Sequence, residues 1–139
     1  MNSPTVISLL GFISWALFLL ILMESIRSKM VLTKEVAANE FTPDNSNLSP
    51  FMQRLARTHA NCIEGLPIFG GLMLLALVTS NASITDPLAY IFLAARIIQS
   101  LLHLSSLNSV VVTLRFSAFA VQLIIAVIWC YKLIGAVIS

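Results

Sequence analysis

The chain has 139 residues, 58% of them apolar and only 10% charged, against about 45–50% and about 25% in an average soluble domain. That balance excludes a disordered chain, a nucleic-acid-binding domain and most soluble enzymes, and a net charge of +2 is too small to call for a polyanionic partner. What remains is an integral membrane protein, with room for at most about four or five spanning helices at about 20 apolar residues each.

The first expected span, about residues 5–25, contains an uncharged run from Thr5 to Met23 and ends among Glu24, Arg27 and Lys29. It lacks the basic start and the small-residue cleavage site of a signal peptide. Residues 28–50 read as a surface loop, carrying Lys34, Glu35, Glu40 and Asp44, with Pro43 and Pro50 as helix breakers. The second span, about 51–78, is polar in its first half, with Arg54, Arg57, His59, Asn61 and Glu64, and apolar through Leu77. Pro67 should kink it and free the carbonyl near residue 63. Gly65, Gly70 and Gly71 allow close helix approach. Thr79 to Asp86 reads as a turn, and Pro87 suits the first turn of a third span, about 87–104, that carries Arg96, Gln99 and His103. A break over Ser105 to Ser109 precedes a fourth span, about 111–138, with Arg115 near its start and Lys132 near its end. Trp15, Tyr90, Trp129 and Tyr131 read as packing or interface anchors. The whole is one all-α domain, a four-transmembrane-helix bundle. Basic residues cluster in and beside the long loop, so the positive-inside rule puts that loop in the cytoplasm and both termini outside.

Charges inside spans need a reason. Glu64 and Arg96 each cost about 2.5–3.5 kcal/mol at a helix centre if left facing lipid. They must therefore face protein or a wet cavity, and each other by preference. Arg57, Asn61 and Glu64 fall at i, i+4 and i+7, one stripe of a helix, with Arg54 one turn earlier. Arg96, Gln99 and His103 form a second stripe at i, i+3 and i+7. Four arginines, Arg54, Arg57, Arg96 and Arg115, then face one acid, Glu64. Such residues can glue a bundle, but a surplus of guanidinium groups suits an anionic ligand carrying carboxylates. His59 lies off the stripe and reads as structural. Cys62 reads as packing filler, and no metal site is indicated by the two cysteines, Cys62 and Cys130.

The run Arg54-x-x-Arg57-x-His59-x-Asn61-x-x-Glu64-x-x-Pro67 resembles the second-helix signature of the MAPEG family, the membrane-associated proteins in eicosanoid and glutathione metabolism. Ala95-Arg96 with Gln99 and His103, then Arg115-Phe116, is similar to the family's third and fourth helices. The resemblance covers essentially the whole chain. It implies a homotrimer with glutathione as the cofactor, bound between neighbouring subunits near the cytoplasmic face. It assigns Arg57, Asn61 and Glu64 to the tripeptide, with Arg96 as the third-helix arginine and Arg27 as a basic residue reaching the ligand. Arg54 and Gln99 complete the binding set. Arg115 is similar to the arginine that favours the thiolate, with His103 assisting. Ala60 stands where the prostaglandin synthase members have another arginine, Gln99 and His103 replace the usual His or Tyr followed by Tyr, and the step from His103 to Arg115 is longer than in the eicosanoid enzymes. Eicosanoid synthesis is therefore not implied, and the sequence looks more like a bacterial branch, placed in the inner membrane. The expectation is a microsomal-type glutathione transferase or peroxidase acting on lipophilic electrophiles or hydroperoxides that enter from the lipid. The alternative is a non-catalytic lipid- or protein-binding member. A small four-helix transporter ranks last, because such proteins need an acid in the first span.

Overall fold

The computed structural model describes residues 3–106 and 108–138. Leu107, inside the expected Ser105–Ser109 break, lies outside the described residues. Helices α1 (Pro4–Leu32), α2 (Pro50–Gly65), α3 (Gly71–Val78), α4 (Ala82–Ser105) and α5 (Ser109–Ile138) follow in order, with a π-helical segment at Leu66–Gly70 joining α2 to α3. Counting α2 to α3 as one, four helices are long and apolar enough to cross a membrane, at 29, 29, 24 and 30 residues. No strand occurs among the described residues.

The starts of α1 and α2 share one device. Ser3 and Ser49 accept from the amides of Val6 and Met52 at 3.2 and 3.3 Å, each followed by a proline in the first helical turn. Serine satisfies an orphan donor while the proline has none to lose. The π segment falls at Pro67, where a missing amide and a ring clash with the fourth residue back force one wide turn. The sequence leads one to expect a kink at this place, and the structure has a π-helical turn there.

Several boundaries differ from expectation. Helix α1 runs to Leu32, so the loop is shorter, because no proline or glycine breaks the chain between Met23 and Leu32. Helix α4 begins at Ala82 rather than Pro87. Asp86 explains why: its carboxylate accepts from the Thr5 amide and hydroxyl at 3.0 and 2.6 Å, so it joins the start of α1 to α4. Pro87, the sixth residue of α4, then costs the helix the one bond that an amide there would make to the Ser83 carbonyl. The expected turn shrinks to the residues around Ser80, which adopts φ 60°.

The core is aromatic. Phe92 is fully buried against Phe12, Phe69 and Trp129, with ring centroids 5.7, 5.0 and 5.6 Å apart. Trp129 is thus core, whereas Tyr90 and Tyr131 are exposed. The remaining large apolar side chains on the outer faces suit contact with lipid. Among Gly65, Gly70 and Gly71, Gly65 makes the closest approach to another helix, as described below. Gly70 packs near Leu9, and Gly71 has nothing within 4 Å of where a Cβ would lie.

Candidate functional site

The site is built around Asn61, on α2, and extends through α4 to α5 in the half of the bundle next to the long loop. Arg96 Nη1 donates to Asn61 Oδ1 at 2.6 Å, and Gln99 Nε2 donates to the same oxygen at 3.1 Å. Gln122 Nε2 donates to Gln99 Oε1 at 2.7 Å and to the Ala118 carbonyl at 3.2 Å. Cys62 Sγ lies 3.7 Å from Ser100 Oγ and 4.0 Å from Arg96 Nη1.

Arg96 is fully buried. Its guanidinium lies near Phe12 and Phe69, 5.2 and 5.6 Å from the ring centroids, and among the described residues its Nε and Nη2 have no hydrogen-bond partner. A Cβ on Gly65 would stand 3.1 Å from Nη2. The glycine therefore makes room for the guanidinium.

The expected Glu64–Arg96 pair does not form within the chain. Among the described residues the one ion pair is Arg27–Glu24, and Glu64 is exposed. The buried face of α2 carries Leu55, Thr58, Cys62 and Gly65. At about 100° per residue, Glu64 points some 200° away from Cys62. Small and apolar residues claim the interior, and the stripe of Arg57, Asn61 and Glu64 is left on the outer edge, with Arg57 and Glu64 exposed.

Two cavities meet at Asn61. A polar cleft of about 240 Å³ is lined by Asn61, Gln99, His103, Val112, Arg115, Phe116 and Phe119. An apolar groove of about 690 Å³ runs between α2–α3 and α5, from Asn61, Glu64 and Gly65 past Phe69 and Leu72 to Cys130. Asn61 and Phe119 border both. His103 is buried and Arg115 half-buried in the cleft. The structure thus brings Asn61, Gln99, His103 and Arg115 together and places Glu64 at the mouth of the groove.

It sends two candidates elsewhere. Arg27 clasps the loop: it donates to Asn45 Oδ1 and the Thr42 carbonyl and lies over the Phe41 ring. Arg54 Nε donates to the Leu104 carbonyl at 2.9 Å and so closes the end of α4. His59 is half-buried with its Nε2 unpartnered. Sequence reasoning missed Gln122, although a signal existed: it stands two turns after Arg115 as an amide in an otherwise apolar run.

Fold and site together define a four-span helical membrane protein with a polar cleft and an apolar groove that share Asn61 and Phe119 as walls. The chain belongs to the MAPEG family, whose model matches residues 5–135. Comparisons with curated proteins and with solved structures found no match.

Proposed function

We propose that the protein is a glutathione-dependent enzyme that conjugates or reduces lipophilic electrophiles or hydroperoxides. The observation that carries this reading is the junction at Asn61 and Phe119, where a cleft holding Arg115 and His103 adjoins the apolar groove. A water-soluble thiol and a membrane-soluble electrophile need such a meeting place, and holding both there supplies proximity. When bound, glutathione supplies a nucleophilic thiolate and two carboxylates. The donors fit it: Arg57 and Asn61 lie on one accessible stripe for the carboxylates, and the cationic Arg115 stands in the cleft, where positive charge favours an ionised thiol. His103 is a second donor beside it.

Arg57 and Glu64, exposed on a spanning helix, would each cost about 2.5–3.5 kcal/mol near mid-membrane against lipid. A neighbouring copy in a homotrimer would cover them. The basic flanks of the long loop support a cytoplasmic side for it.

A second reading is a non-catalytic binding member. Gln99 favours it, because its amide is tied at both ends, to Asn61 and to Gln122, and is held by the protein rather than turned to a ligand. One experiment separates the two. Glutathione at about 100 times its dissociation constant should stabilise the detergent-solubilised protein by about 2.7 kcal/mol. Arg57→Ala should remove most of that shift and Lys132→Ala none. Thiolate absorbance on adding glutathione, with conjugation of an aryl electrophile, marks an enzyme. Binding without either marks the binding member, and equal shifts in both variants refute the site.

A further inference from the structure

An amide has two ends of the same shape and opposite character, so a chain of amides has a direction. Here both ends of the chain are pinned by groups that allow one choice. At one end stands Arg96, which can only donate, so the Asn61 atom 2.6 Å from its Nη1 is Oδ1. At the other end stands the Ala118 carbonyl, which can only accept, so the Gln122 atom 3.2 Å from it is Nε2. Gln99 lies between an oxygen that needs a donor and a nitrogen that needs an acceptor, and a single orientation serves both. With Asn61 Oδ1 receiving two donors, its Nδ2 is the atom left for the two cavities that Asn61 borders.

We infer that Gln122, acting through Gln99, is a positioning residue that holds Asn61 with its Nδ2 hydrogens toward the ligand. The site thereby selects a ligand group that brings an unprotonated acceptor, a carboxylate or carbonyl oxygen, and rejects a donor at that place. Gln122 is fully buried, and among the described residues its Oε1 is unpartnered. A residue serving packing alone would not leave that acceptor unmade in the core. The inference rests on the proposal that glutathione occupies this junction.

The test is a double-mutant cycle on the full chain in detergent, with glutathione as the probe and calorimetric affinity as the readout. Gln122→Met keeps length and volume and removes the donor. It should weaken glutathione about tenfold, mid-range for groups coupled through one network. In an Asn61→Ala background the same change should alter affinity less than about twofold, because nothing remains to be positioned. If Gln122→Met folds poorly, Gln122→Asn, too short to reach Gln99, should show the same pattern. Asn61→Asp supplies a further readout: it gives Arg96 a carboxylate, so melting temperature should hold or rise while glutathione binding falls at least tenfold. Equal losses for Gln122→Met in both backgrounds, or no loss in the parent, would overturn the positioning role. Affinity that tracks melting temperature in every variant would also overturn it. No binding by the parent protein would instead overturn the glutathione reading, and this inference with it.

Discussion

Replacing Arg96 by methionine should separate folding from binding. Methionine is unbranched and of similar reach, so it can fill the space beside Phe12 and Phe69. The change loses one charge-assisted hydrogen bond to Asn61, about 2 kcal/mol, and two desolvated ring contacts at about 2 kcal/mol each. Sulfur–ring contacts return part of the latter. Asn61 Oδ1 stays satisfied by Gln99. On the other side, methionine removes a buried guanidinium whose Nε and Nη2 are unpartnered among the described residues. The cost of that desolvated charge, with no carboxylate to balance it, is several kcal/mol and exceeds what is lost. Arg96→Met should therefore raise stability by about 2 kcal/mol or more, seen as a higher melting temperature in detergent without glutathione. Glutathione affinity should fall, because Asn61 loses one of its two anchors. A melting temperature clearly below that of the parent would refute the reasoning. It would mean that the guanidinium gains more from its surroundings than it loses by burial.

Arg115→Ala should lower turnover far more than it weakens glutathione binding, since its charge serves the ionised thiol, and Arg115→Lys should recover part of the rate. Full activity with poor expression would mark Arg115 as an interfacial anchor instead. In the loop, Asp44 has its pKa held below the ordinary 3.8, first by the Thr42 hydroxyl and then by the Ser46 amide. A depressed carboxylate contributes above its unfolded pKa and is lost as pH falls through the folded one. The Thr42–Ser46 turn should thus keep its amide protection at pH 5 and lose it only below about pH 4, as read by hydrogen exchange at Ser46. Loss already at pH 6 would refute that role.

Much of this protein follows from the chain alone. Four apolar runs of bilayer length, each ended by serine, proline or charge, determine four spans, because lipid tolerates no unpaired backbone. Pro67 determines the π turn, since its ring and missing amide act on their own helix. The Arg57–Asn61–Glu64 and Arg96–Gln99–His103 spacings mark the two stripes for the same local reason. Tertiary structure decided which groups meet. The sequence pairs Glu64 with Arg96 by charge, yet packing puts Cys62 and Gly65 inward and gives Arg96 to Asn61. It assigns Arg27 to a ligand, yet the fold spends that arginine on a loop whose path no local rule specifies. Gln122 is silent as a single amide in an apolar run. It acquires a role only when α5 crosses α4 within 2.7 Å of Gln99. Periodicity reports the face of a helix and says nothing of the rotation of that face against its neighbours, which close packing of the whole bundle determines.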